Sequence, residues 1–188
     1  PGRIPYLNRN LYYFAGKDVW KTLFDLEAMR PGMVLLSAQA PDGDPAWCDV
    51  VTLMTPVATR PWEAWEGSVP GRRPEAYTAL KAAMTQATVD FACARLPELR
   101  DAIAHTYAAT PLTYRHYTGA PHGAAYGLLK DWRSIMASHI PARTKFENLL
   151  LTGQNLTVHG AIGVTLSAAA TCSEIVGTEY LAKKIANA

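Results

Sequence analysis

An α+β fold, with helices on a mixed or antiparallel sheet, is what this chain predicts, and three features predict it. Short runs rich in β-branched and aromatic residues lie at 10–14, 33–38 and 49–57. A long stretch with apolar residues at turn-like spacing occupies 74–94. Strands and helices are mixed along the chain without a strict strand–helix–strand alternation.

The elements follow in order. Residues 10–14 and 33–38 read as short strands, with a helix at 18–29 between them. Asp18 is its N-cap, and Trp20, Leu23, Phe24 and Met29 form its apolar face. "PDGDPAW" at 41–47 is turn chemistry, since Asp-Gly and two prolines do not continue a strand. "DVVTLMTPV" at 49–57 reads as a β-branched strand covered on both faces. Pro56, Pro61, Pro70 and Pro74 bracket a loop carrying Trp62 and Trp65, a lid or partner surface if it is not simple packing. The helix at 74–94 uses Tyr77, Leu80, Met84 and Phe91. Pro97 then starts a second, short helix to about His105. Residues 110–131 hold glycines, prolines and three tyrosines with little period, and read mostly as loop. A short strand at 149–152 and a helix at 164–185 complete the chain.

Composition narrows the function. At 188 residues the chain has room for one domain with a real core, or it is a piece of a larger protein. An apolar content of 49% and a charged content of 18% describe a folded chain rather than a disordered one. The net charge of +2 is too small to suggest nucleic acid, and Arg72-Arg73 and Lys183-Lys184 are the only adjacent basic pairs. Cys48, Cys93 and Cys172 are far apart and odd in number, which indicates reduced thiols in a cytoplasmic compartment. No HExxH, His/Cys cluster or carboxylate array points to a metal. No GxSxG or P-loop points to hydrolysis of an ester or a nucleotide. The most apolar window, 149–176, contains Gln154, Asn155, His159 and Glu174 and is a poor membrane span.

The segment "NLLLTGQNLTVHGAIGVTLSAAATCSEIVG" at 148–177 is unlike ordinary core sequence. Gly153 lets the backbone approach whatever lies beyond the strand end, because no Cβ intervenes. Gln154 and Asn155 present amides that donate and accept hydrogen bonds without charge. Gly160 and Gly163 free the turn, and Gly163-Val164-Thr165 opens the last helix. The N–H groups of that first turn and the positive end of the helix dipole favour an electron-rich or anionic group. Ala168, Ala169 and Ala170, with Ser167 and Thr171, let the helix press close to a sheet or a flat ligand. The same pattern also occurs wherever a helix packs tightly on a sheet, and the residues alone leave both readings open.

That segment strongly resembles the carboxyl-terminal flavin motif of phytoene desaturase-like oxidoreductases, in the branch of retinol saturases and carotenoid cis–trans isomerases. "TPLTYRHYTGAPHGAAYGLLKDW" at 110–132 resembles the TPLT…G.P.G..YG signature of that branch, and "DGDPAWCDVVTLMTPV" at 42–57 matches more loosely. The resemblance implies a two-domain flavoprotein with a substrate domain over the flavin ring. FAD is the implied cofactor, and a conjugated polyene or isoprenoid is the implied substrate of desaturation, saturation or isomerisation. Gly153 and Gln154 would then lie near the pyrophosphate or ribityl chain, and Ile162, Gly163 and Val164 by the pyrimidine edge of the isoalloxazine, with Asn155 and Gly160 also among the cofactor-binding residues. Residues 1–147 become a substrate-binding portion and 148–188 the flavin-contacting strand and helix. Because polyenes reside in bilayers, a peripheral membrane contact is also implied.

One departure stands out. The family holds the ADP half of FAD with an amino-terminal GxGxxG in a βαβ unit, and no such motif occurs here. "GAPHG" at 119–123 and "HGAIG" at 159–163 have the wrong spacing and context. The expectation is therefore a carboxyl-terminal portion of a longer enzyme, whose partner is an upstream FAD-binding domain and which retains FAD poorly alone. His159 is either a residue that orients substrate or moves a proton, or a turn histidine bonded to backbone. Tyr114, Tyr117 and Tyr126 either line an apolar substrate pocket or anchor a long loop. His116 and His122 read as surface or pocket residues. Arg115 and Lys130 read as solvated cations, with a place near cofactor phosphate as the alternative.

Overall fold

Strand β3 (Met33–Ala38) alternates half-buried and buried side chains, so Val34, Leu36 and Ala38 point into the interior. A period of two is what one covered sheet face demands. The computed structural model describes residues 2–26, 29–39 and 46–187. Strand β1 (Ile4–Pro5) pairs with β4 (Trp47–Cys48). Strand β2 (Asn10–Phe14) and β5 (Val51–Met54) flank β3 on either side. Every pairing is antiparallel, which fits the α+β expectation. The predicted strand at 49–57 is shortened to β5. It is an edge strand with half-buried residues, not one covered on both faces, because the three-stranded sheet ends there.

Asp18 caps α1 (Val19–Phe24) as predicted, its Oδ1 accepting the Lys21 N–H at 3.0 Å. The helix is shorter than the predicted 18–29 and closes at Asp25; Glu27 and Ala28 lie outside the described residues. So do residues 41–45 of the predicted turn. Helix α2 (Glu75–Cys93) matches its sequence pattern and packs on β3 and β5. Its Ala92 and Cys93 join Ile4, Val34, Leu36 and Leu99 in one apolar cluster. Burying each of Val34 and Leu36 contributes roughly 1.5–3 kcal/mol. A second cluster holds Trp62, Tyr77, Met84 and Leu112.

Trp62 is 2% exposed and sits edge-on to Tyr77 with centroids 5.7 Å apart. It is core, which corrects the lid or partner-surface reading: the prolines around it turn the chain inward as a short 3₁₀ helix. Helix α3 (Leu99–Ala102) follows Pro97 and buries Leu99 as expected, but it ends before the predicted His105 and leaves Ile103 extended and exposed. The loop predicted at 110–131 instead begins with α4 (Pro111–Thr118). Pro111 in the first turn and Gly119 at φ +67° after the end bound it, and its two turns are too few to show a period.

The chain divides into two compact units, Pro1–Thr113 and Tyr114–Ala188. The second contains α5 (Ile135–Ser138), α6 (Gly160–Val176) and α7 (Thr178–Ala186). The predicted strand at 149–152 reduces to a single bridge between Arg143 and Leu150. The predicted helix at 164–185 starts earlier, at Gly160, and breaks at Gly177, whose φ of +86° ends α6. Among residues 114–187 only Leu156, Gly163 and Ser167 are buried. Helix α6 is thus apolar in sequence yet wet on most of its surface, with Ile162 79% exposed.

Candidate functional site

The bend at 153–160 is held from inside by α6. Gly153 donates its N–H to Ser167 Oγ at 3.0 Å, and Thr171 Oγ1 donates to the Leu151 carbonyl at 2.7 Å. Thr171 and Ser167 stand one turn apart, so small hydroxyl residues on this face take the place of a sheet partner. A Cβ on Gly163 would run into the Val158 backbone carbonyl, which makes this glycine a packing residue. The small-residue character of α6 is therefore explained, along this stripe, by close approach to its own bend.

The outer side of the bend is open. Gly153, at φ +109°, and Gly160, at φ +81°, have no atom within 4 Å of where a Cβ would stand. His159 precedes α6 in extended conformation and its side chain makes no capping bond, so the first-turn N–H groups lack a side-chain acceptor. The helix opens at Gly160 rather than at Gly163-Val164-Thr165, and Ile162 and Val164 near its start are both exposed. The Gln154 amide has no partner among the described residues. Thr157 Oγ1 is buried and unpaired, a group that sequence reasoning missed because a lone threonine carries no pattern.

A strap from the 110–132 motif lies on this bend. The Tyr126 ring faces His159 with centroids 4.7 Å apart and a tilt of 32°. Leu128 donates its N–H to Asn155 Oδ1 at 3.0 Å, and Gly127 sits where a Cβ would strike that same amide. The Asn155 oxygen is thus committed within the chain. Lys130 Nζ donates to the carbonyls of Ser138, Asn155 and Leu156 at 2.6, 2.5 and 3.1 Å. That corrects its reading as a solvated cation or phosphate neighbour.

The structure therefore brings Tyr126, His159 and Asn155 together. Tyr114 and Tyr117 ride one turn apart on α4; Tyr117 lies edge-on to His116, and no described contact joins either tyrosine to the bend. His116 and His122 are exposed. Arg143 donates to both Glu174 Oε2 (2.7 Å) and the Glu174 carbonyl (2.9 Å), tying 143 to the far end of α6. Among the described residues no group of His, Cys, Asp or Glu is placed to hold a metal, and no helix is long and apolar enough to cross a membrane.

No protein-family model matches the chain, and no solved structure does. Curated relatives do match. A human protein named all-trans-retinol 13,14-reductase is 30% identical over 143 residues, covering 71% of this chain and 23% of the relative. The chain is similar to all-trans-retinol 13,14-reductases. The Danio rerio protein of that name is 30% identical over 118 residues, 61% of this chain and 19% of its own length. A Danio rerio protein named inactive all-trans-retinol 13,14-reductase is also 30% identical, over 104 residues, 54% of this chain and 17% of its own. The chain thus spans less than a quarter of the length of these relatives. Their names support the retinol saturase branch of the resemblance.

Proposed function

We propose that this chain supplies the substrate-domain portion and the flavin-facing corner of an FAD-dependent oxidoreductase acting on a conjugated polyene or isoprenoid. Saturation of a retinol-like substrate fits the relatives' name best; desaturation and isomerisation belong to the wider phytoene desaturase and carotenoid isomerase resemblance. The observation that carries the proposal is the open outer face of the bend, with glycines at 153 and 160 leading into an uncapped, solvent-exposed tip of α6.

The residues fit such a group. Open Cβ positions leave room for a flat ring, and the Gln154 amide and the α6 first-turn N–H groups are available to bond it. Gly153 N–H and Asn155 Oδ1 are already used by Ser167 and Leu128, so they shape the cradle rather than line it. FAD, when bound, supplies the hydride or electron transfer. The chain's own contribution is to place the positive end of α6 against negative charge on the ring and to wall off water with Ile162 and Val164. The His159 imidazole, steadied by Tyr126, is positioned to hold or move a proton. The bare apolar surface of α6 suits the interior of a larger protein, in keeping with an FAD-binding domain as partner. In this reading the segment 148–188 is the flavin-contacting part, the rest serves the substrate, and a bilayer surface is where the polyene is collected.

A second reading keeps the fold without the chemistry: a hydrophobic-ligand or partner-binding module. The relative named inactive favours it.

The test is a chimera in which this chain's aligned stretch replaces the matching stretch of the human relative, assayed for retinol reduction. The proposal expects activity within about tenfold of the parent. A folded chimera that binds retinol but neither reduces it nor holds flavin would overturn the proposal and favour the second reading.

A further inference from the structure

Three backbone carbonyls, from Ser138, Asn155 and Leu156, converge on the Lys130 ammonium at 2.6, 2.5 and 3.1 Å. An ammonium has three protons, so its donor capacity is fully used inside the chain. Such charge-assisted bonds are stronger than neutral ones, and without a cation three carbonyl dipoles aimed at one point repel. Leu156 is the hub of the arrangement. Its carbonyl also accepts the Ile140 N–H at 3.1 Å, and its own N–H donates to the Gly153 carbonyl at 3.3 Å.

We infer that Lys130 is the positioning residue of the 153–160 bend, an internal cation that fixes which way its peptide groups face. The trans peptide makes the consequence specific: with the Leu156 carbonyl turned to Lys130, the Thr157 N–H points the opposite way. The Thr157 hydroxyl, buried and unpaired, belongs to the same residue. Lys130 also anchors the strap whose Tyr126 and Leu128 meet His159 and Asn155. One ammonium thus joins three stretches of chain, around 128–130, 138–140 and 153–157. That the ordered bend faces a flavin rests on the function proposed above; the ordering itself does not.

The test uses Lys130→Met and Lys130→Ala in the 188-residue chain, with amide hydrogen exchange followed at Leu156 and Ile140. Amides of α2 in the other unit report whether the fold as a whole survives. Lys130→Met is expected to speed exchange at both positions about tenfold or more while α2 stays protected. Adding n-propylammonium to Lys130→Ala, where it replaces the missing side-chain atoms, is expected to restore protection. Neutral n-propanol is not. Unchanged exchange in Lys130→Met overturns the inference, and so does rescue by n-propanol equal to that by the ammonium, since either result removes the role of charge. If Lys130→Met opens α2 as well, the ammonium rescue of Lys130→Ala decides. In the human chimera, flavin lost with Lys130→Ala and regained with n-propylammonium supports both readings. Local rescue in a chain whose chimera never holds flavin overturns the flavin reading and leaves the role of Lys130 standing.

Discussion

Gly153 N–H and Ser167 Oγ lie 3.0 Å apart, and Ser167 is wholly buried. The Gly153 backbone N–H is turned toward α6, and what faces outward is the glycine's missing side chain. Replacing Ser167 with alanine removes the acceptor and strands that N–H. The expected loss is about 1–3 kcal/mol of stability, read as a lower denaturation midpoint by circular dichroism. An unchanged midpoint would mean that the bend does not depend on the helix behind it.

Glycines 160 and 163 separate close packing from turn geometry. Gly163→Ala places a methyl against the Val158 carbonyl, so it should destabilise by roughly 1–3 kcal/mol despite the better helix propensity of alanine. Gly160→Ala meets open space and pays only for positive φ, about 1–2 kcal/mol. Thermal melts of the two variants check the order. A Gly163→Ala variant as stable as the parent would remove the contact argument.

Tyr126 and His159 were reached by separate routes, one as a pocket aromatic and one as a proton-moving candidate, and their rings prove to be partners. His159→Phe should keep stability near that of the parent, whereas His159→Ala should lose about 0.5–1.5 kcal/mol from the ring contact. In the chimera His159→Phe also separates roles. Retained turnover with an unaltered pH profile would show that the imidazole only packs.

Much of the first unit was legible because its elements are long enough to show a period. Strands β2 and β3 and helix α2 fall where alternation and turn-like spacing put them, and Asp18 announces α1. The two-residue strands β1 and β4 were not, since two residues cannot show a period of two; they form because Ile4 and Cys48 meet across the chain. The sequence leaves Trp62 open between surface and packing, because prolines mark a turn without saying whether it is covered. In the second unit, Gly177 ends α6 inside what reads as one continuous helical run. The roles of Lys130 and of the Tyr126–His159 pair depend on contacts between distant stretches, and no local spacing records those.

Asp90 gives a pH signature. Hydrogen bonds from Gln86 and then Arg100, whose guanidinium lies 3.0 Å away, hold its carboxyl below the usual carboxylate value. A depressed folded pKa means that its contribution is complete above about pH 3.9, the ordinary aspartate value, and is lost as pH falls through the group's own lower pKa. Asp90→Asn should therefore lower stability at neutral pH by an amount that fades as pH falls through that lowered pKa, which flattens the acid side of the curve. Acid denaturation curves of the two proteins make the comparison.

The thiols should react in a fixed order. Cys172 is exposed, Cys48 is half-covered and Cys93 is buried, and burial pushes the Cys48 and Cys93 thiols up from their ordinary value. Less thiolate and less access both slow alkylation. Timed iodoacetamide labelling at mildly alkaline pH should modify Cys172 first and Cys93 only on unfolding. Early labelling of Cys93 would contradict the packing described for β3 and α2.

The central claim is that the outer face of the bend, from Gly153 to the tip of α6, receives an isoalloxazine. The most direct measurement is the flavin released per chain on denaturing the human chimera, compared with the same chimera carrying bulky Gly153→Phe and Gly160→Phe replacements. Near-stoichiometric flavin in the first and its loss from a still-folded second is the predicted result. Flavin retained equally by both would place the ring elsewhere and contradict the account.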